Sequence, residues 1–383
     1  MKDNFLLNPK INFLNHGSFG ACPKPIFQDY QNWQLKLEQD PVNFIVNEGP
    51  KALNTSRKAL AEYINCNDQD LVYMPNPTTA LNTVIKSLDL NEGDEVLTTN
   101  QEYGALDRTW DFYCKKSGAK YVQANISLPL VSKEKFLEEF WAALTPRTKI
   151  IFLSHITSTT ALIFPAQEIC DKANELGIIC IIDGAHVPGH IPLNIKKLNP
   201  HIYTGANHKW LLTPKGNTFL YVKEELQHLI DPLIVSWGYD SVSPSESQFQ
   251  DYHQYNGTKD FSAYLTTPAA LQFFKENNWE SEKSNCRKLL KHYYPIVAKE
   301  LNSAPLCPLT DEFLGQICSI PIQTNDPLKL KSLLLDKYKI EVPIMQVGKK
   351  VYLRISFQAY NSELEIEQLI EAIRSIKSET ALL

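Results

Sequence analysis

The sequence lacks the marks of several protein classes. None of its eight cysteines forms a Cys-x-x-Cys pair, and several sit inside apolar runs, as Cys180 does in Ile-Ile-Cys-Ile-Ile. That is the pattern of reduced, buried thiols and not of a disulfide framework. The nine histidines are scattered without ligand spacing, so no metal site is expected. No apolar run approaches the length that spans a bilayer. The opening Met-Lys-Asp-Asn-Phe-Leu-Leu-Asn-Pro has too short an apolar stretch for a signal peptide. A soluble, cytoplasmic protein with no membrane partner is expected. A net charge of −5 leaves no electrostatic footprint for nucleic acid. Internal repeats and low-complexity tracts are absent. There is no Gly-x-Ser-x-Gly elbow and no Gly-x-Gly-x-x-Gly after the first strand, so a hydrolase or a dinucleotide-binding dehydrogenase gains no support.

What is present is a 383-residue chain, 43% hydrophobic and 21% charged, long enough for two domains with a full core. Between about residues 50 and 225, helical stretches (51–65, 79–88, 104–117, 133–143, 166–176) alternate with short β-rich runs. Those runs are Leu71–Met74, Glu95–Thr98, Lys120–Gln123, Lys149–Ser154, Ile178–Asp183, His201–Thr204 and Thr218–Val222. The alternation predicts an α/β domain with a mainly parallel sheet. Runs as apolar as Ile150–Leu153 suit strands covered on both faces. Residues 231–264 are rich in Ser, Tyr, Gln and Gly and read as a long loop. Beyond them, Phe313–Ile322, a helix near 327–338, a strand at Val351–Ser356 and a helix at 362–377 predict a smaller α+β domain. The expected division is 20–265 for the large domain, with 1–19 and 266–383 forming the small one.

Three features carry chemistry. Asp183 ends a fully apolar strand, where α/β sheets bind ligands. A carboxylate there is costly unless it meets a cation. Lys209 follows the next strand, flanked by His208 and Trp210, in partly apolar company that favours the neutral amine. Asn76-Pro77-Thr78-Thr79 opens a helix after the strand Leu71–Met74, where hydroxyls and free N–H groups make an anion site. Taken singly, each has an ordinary structural use: a turn acid, a surface lysine, an N-cap. Their combination and order match a site for pyridoxal 5'-phosphate (PLP). The phosphate docks at the helix, the acid pairs with the ring nitrogen and the lysine forms the imine.

Further segments extend the pattern: Phe13-Leu14-Asn15-His16-Gly17-Ser18-Phe19-Gly20, Glu102-Tyr103-Gly104-Ala105, Ser154-His155-Ile156-Thr157-Ser158, Asp183-Gly184-Ala185-His186, His208-Lys209-Trp210, Gly257-Thr258-Lys259-Asp260 and Arg354-Ile355-Ser356. With them the chain resembles the class V aminotransferase superfamily of fold-type I PLP enzymes. Within it the chain is most similar to the isopenicillin N epimerase-like and hercynylcysteine sulfoxide lyase-like branch. The resemblance implies the aspartate aminotransferase-like fold, a large domain with a mainly parallel sheet plus a smaller C-terminal α+β domain. It also implies a Schiff base on Lys209, which then serves as base at the α-carbon, and Asp183 on the pyridinium nitrogen. It places His186 near the cofactor's phenolic oxygen, with Ser158 as second candidate, and Tyr103 against the ring face. Thr78, Thr79 and His208 fall at the phosphate. Thr258 reaches the phosphate of a neighbouring subunit, implying a homodimer with shared active sites. Arg354 clamps the carboxylate of a small amino-acid substrate, and Asn15 and His16 line the substrate side. Lys259 stands where the family more often has Arg.

Several reactions remain open to such a site. Residues 341–353 contain no cysteine, which disfavours a cysteine desulfurase. Carbon–sulfur β-elimination on a cysteine conjugate or sulfoxide needs only Lys209 as base. Epimerisation needs a second proton donor, for which His16 is the candidate. Transamination needs a keto acid. A non-catalytic binding protein is disfavoured because Lys209, Asp183 and Arg354 are all retained.

Overall fold

A computed structural model describes all 383 residues. Strands are numbered in chain order. The main sheet comprises β2 (Leu71–Met74), β3 (Glu95–Thr99), β4 (Lys120–Ala124), β5 (Thr148–Ser154), β6 (Ile179–Asp183), β7 (Ile202–Ala206) and β8 (Thr218–Val222), with β1 (Asn12–Phe13) outside it. Its order is β2-β8-β7-β6-β5-β3-β4. Every neighbouring pair is parallel except those made by β8, which runs antiparallel to β7 and β2. The remaining strands are β9 (Ile317–Ile322), β10 (Ile340–Glu341), β11 (Ile344–Val347) and β12 (Lys350–Ser356). They form a three-stranded antiparallel sheet β11-β12-β9, while β10 pairs in parallel with β1.

The apolar runs are buried on both faces of the main sheet, as strands sandwiched by helices require. Along β5, Ile150 and Phe152 enter one hydrophobic cluster and Ile151 and Leu153 the other. The larger cluster continues from Leu153, Ile182 and Tyr203 into Ile320, Leu353 and Ile373 of the C-terminal part. One continuous core therefore sets the β12 strand, and Arg354 with it, against the carboxyl edge of the main sheet. The register aligns Ser154 with Asp183 and Asp183 with Thr204 along that edge.

Among the helices, the structure departs from the sequence expectations in two places. Residues 231–264 are not loop throughout: helices span Gln248–Gln254 and Ser262–Leu265, the first capped by Ser247. Its polar composition hides it, although Phe249, Gln250, Asp251 and His253 are buried. A sixteen-residue helix, Lys24–Gln39, buries only Ile26 and Leu37 and so carries little periodic signal. No helix is long and apolar enough to cross a membrane.

Candidate active site

The carboxyl ends of β2, β3, β5, β6 and β7 converge on a cavity of about 490 Å³. Lys209, Asp183, His186, Thr78, Tyr103, Ser158, His208 and Arg354 all line it.

Lys209 sits in the short helix Asn207–Trp210, directly after β7. Its Nζ lies 3.1 Å from His186 Nε2. Trp210 donates its indole N–H to His186 Nδ1 at 3.4 Å. Indole nitrogen only donates, so Nδ1 is the accepting nitrogen and Nε2 carries the imidazole proton. That proton points at Lys209 Nζ, an arrangement that suits the neutral form of the amine over the charged one. Burial, then the Arg354 charge, lowers the Lys209 pKa to about 8, and Asp183 opposes the shift. Burial likewise holds His186 well below its ordinary value, with Lys209 and Arg354 adding to the effect.

Asp183 is buried and accepts the Ala185 N–H at 2.9 Å. It makes no ion pair, and burial raises its pKa. Arg354 is its mirror image: a buried guanidinium with no carboxylate partner. Its donors go to the Ser158 carbonyl at 2.6 Å and Ser18 Oγ at 2.8 Å, and burial lowers its pKa to about 10. A buried charge left unpaired by the protein marks the place of an opposite charge from outside it.

At the third corner, Asn76 caps the helix Pro77–Ser87 by accepting the Thr79 N–H at 2.8 Å. Pro77 has no N–H to lose there. Neither the Thr78 amide nor its hydroxyl is hydrogen-bonded within the chain, so both are available to an anion. His208, its Nδ1 near the Asn217 carbonyl, has its pKa lowered to about 4 by burial.

Four expected residues lie outside this cavity. Thr79 spends its N–H on the Asn76 cap and lines the neighbouring cavity instead. Thr258 is exposed and borders a separate cleft near Tyr73 and Tyr264. Asn15 donates to Glu341 Oε1 at 3.0 Å and accepts from Ser18 Oγ. His16 is fully buried, its Nδ1 3.0 Å from the Tyr360 hydroxyl and its Nε2 3.0 Å from the Lys209 carbonyl. The cause is local: Asn15 precedes a single helical turn, His16–Phe19, which presents Gly17, Ser18 and Phe19 to the cavity. His16 supports the Lys209 backbone from behind. Ser158 stands at the arginine corner, through its carbonyl.

Other lining residues escaped the sequence reading. Lys215 and Gly216 follow Lys209 in a Pro-Lys-Gly turn that could have flagged them. Met345 comes from β11. Glu102, behind the lining, is buried between Thr99 Oγ1 (2.6 Å) and the Ser154 N–H (2.8 Å). Burial raises its pKa to about 7, against those hydrogen bonds and with a further upward push from Asp183. Gly20 closes the wall: at φ 71° and ψ 168° it occupies a region open only to glycine. A Cβ there would stand 2.2 Å from the His208 carbonyl.

The chain belongs to the class V aminotransferase family, whose profile matches residues 30–369. It is 30% identical over 388 residues to isopenicillin N epimerase of Amycolatopsis lactamdurans, covering 98% of this chain and 97% of that one. Hercynylcysteine sulfoxide lyase of Schizosaccharomyces pombe is 23% identical over 384 residues, covering 99% and 97%. Cysteine desulfurase from Thermococcus onnurineus NA1 has the same fold, with a TM-score of 0.84 at 20% identity over 98% and 96% of the two chains. The protein is therefore an enzyme of this PLP-dependent family, and its cofactor is pyridoxal 5'-phosphate. The residues present fit that group: an unpaired buried acid for a ring cation, a buried amine of lowered pKa for an aldehyde and the free Thr78 amide and hydroxyl for a phosphate.

Proposed function

We propose that this enzyme is a carbon–sulfur β-lyase that removes the α-proton of a cysteine conjugate or sulfoxide and expels the sulfur group. The observation that carries the reading is the Lys209–His186 pair: one amine of lowered pKa, oriented by an imidazole, with no thiol in the cavity. None of the eight cysteines lines the cavity, so an enzyme-bound persulfide has no site. His16, the donor that epimerisation would recruit, has both ring nitrogens engaged and does not face the cavity.

The residues divide the work. Lys209 would hold the cofactor's aldehyde through Nζ, Asp183 its ring nitrogen, Tyr103 its ring face, and Thr78 with His208 its phosphate. Bound PLP supplies the electron sink that makes the α-proton acidic. Arg354 grips the α-carboxylate through a planar fork, with Ser18 and the Ser158 carbonyl fixing the guanidinium. Lys209 Nζ takes the Cα proton. The Cβ–S bond then breaks, its electron pair leaves on sulfur, and the thiolate takes up a proton. With one water consumed, a conjugate yields thiol, pyruvate and ammonium. His186, its Nε2 proton directed at Nζ, favours the free amine that accepts the proton. Thr258, exposed and away from this chain's own cavity, is left to serve a second copy, giving a homodimer with shared sites. The free thiols suit a reducing, cytoplasmic setting.

The test begins with visible absorbance of the purified protein, before and after borohydride, beside Lys209→Ala. A band bleached by borohydride and missing from the variant is expected. Cysteine conjugates should then release pyruvate, ammonium and thiol in equal amounts. A protein that stays colourless with added PLP would sink the site assignment. Exchange of the α-proton into D-enantiomer without pyruvate would make the enzyme an epimerase instead.

A further inference from the structure

The charged lining residues of the cavity are Asp183, Lys209, Lys215 and Arg354. In the reading above, Asp183 meets the ring nitrogen, Lys209 the reacting carbon and Arg354 the α-carboxylate. Lys215 lines both this cavity and its neighbour, as do Pro75 and Gly216. Pro75 stands beside the helix N-terminus that carries Thr78, which assigns Lys215 to the phosphate end. Its Nζ already donates to the Gly20 carbonyl at 3.0 Å. No ionic group is left over for the substrate's side chain.

Beside its polar partners Ser18 and Ser158, Arg354 has two apolar residues in the lining, Phe19 and Met345. Phe19 follows Ser18, the residue that receives Arg354 Nη2. Met345 pairs with Tyr352 across the β11–β12 hairpin, and Tyr352 and Arg354 alternate onto one face of β12. Met345 therefore shares a face with the arginine, and both residues line the cavity. Phe19 is itself 70% exposed, so a second carboxylate or ammonium seated there would lose part of its water and gain no ionic partner. Methionine is unbranched and polarizable, so it adapts to groups of different shape.

We infer that the substrate's side chain is uncharged: a cysteine conjugate whose sulfur substituent is apolar and packs against Phe19 and Met345. This rests on the assignment of Arg354 to the α-carboxylate. Selection by charge is strong at such a wall, and selection by size is weak.

The experiment uses the PLP-loaded enzyme with four ligands that share one sulfur and differ in charge: S-methylcysteine, S-benzylcysteine, S-carboxymethylcysteine and S-(2-aminoethyl)cysteine. The two neutral conjugates should exceed the two charged ones by roughly tenfold or more in kcat/KM for pyruvate release. Met345→Arg should raise S-carboxymethylcysteine relative to S-methylcysteine by a similar factor, and Met345→Leu should keep the neutral preference. Equal kcat/KM across the charge series, or an unmoved ratio in Met345→Arg, overturns the inference. If no conjugate yields pyruvate, the elimination reading fails. The absorbance change of the bound cofactor on titrating the same four ligands then still decides the charge preference by affinity.

Discussion

The indole N–H of Trp210 points at Nδ1 of His186 from 3.4 Å, and so selects the tautomer that faces Lys209. Trp210 is itself held, its ring stacked on His190 at 4.0 Å. His190 accepts the Gln316 N–H and bonds back to the His186 carbonyl. Trp210→Phe keeps a ring against His190 but removes the donor. His186 Nε2 is then free to accept from a protonated Lys209, which favours the charged amine. In the native protein the reactive amine should accumulate as pH rises through about 8, the value to which burial lowers Lys209. The rate of PLP loading by apoenzyme, measured against pH, should therefore show a higher midpoint in Trp210→Phe. An unchanged midpoint would break the link between the indole and the lysine.

Arg354→Met removes a buried cation that the chain itself never neutralises. Breaking off such an isolated charge has little stability to lose. The expected outcome is an apoenzyme melting temperature no lower than that of the parent. KM should rise roughly tenfold to a hundredfold, from loss of hydrogen bonds to a charged group worth about 1.5–3 kcal/mol. Steady-state kinetics beside thermal melts checks both halves.

Glu102 makes stability depend on pH in an unusual direction. Burial holds its folded pKa at about 7, above the ordinary 4.5. Between those values the folded state binds the proton more tightly than the unfolded chain, so this contribution is full below pH 4.5 and is lost as pH rises through 7. Glu102→Gln lacks the titration. The difference between native and variant stability should change by up to ~3 kcal/mol from pH 4.5 to 7, at about 1.4 kcal/mol per pKa unit. Denaturant melts of the two apoenzymes across that range provide the measurement.

Gly20→Ala should harm cofactor retention as well as stability. Its backbone angles cost a side chain about 1–3 kcal/mol. The new Cβ would also meet the His208 and Lys209 carbonyls at 2.2 and 2.8 Å. Faster PLP release, followed by loss of visible absorbance on dilution, is the readout.

The sequence was most legible where burial is two-sided. Six of the seven main-sheet strands are largely buried, as the run Ile150–Leu153 is on both faces; the edge strand β4, with Lys120 and Gln123 exposed, follows instead from the alternation of helices and strands. Asp183, Lys209 and Thr78 were singled out by their places after strands, and the structure brings all three to one cavity. The arginine corner was only half legible. Arg354 stood out in its segment, but Ser18 reaches it across 336 residues of chain, and no local pattern announces that. Asn15 and His16 were drawn from the right segment and the wrong side of it. A one-turn helix decides which of five neighbouring residues face inward, and hydrophobic periodicity does not resolve a single turn. Met345 was hidden for a related reason: an edge hairpin of mixed residues shows its inner face only once its partner strand is placed.

The bond between Ser18 and Arg354, with the Asn12–Ile340 pairing beside it, also constrains how the enzyme is made. During synthesis at about 5–20 residues per second, the segment around Ser18 emerges tens of seconds before its partner exists. Of the residues proposed for the phosphate and the ring, those lining this chain's own cavity are all translated by residue 216, well ahead of Arg354. The cofactor-facing side chains thus leave the ribosome before the arginine proposed to grip the substrate. The two sides of the cavity are in this way delivered at different times, and the one core they share closes only when the chain is whole.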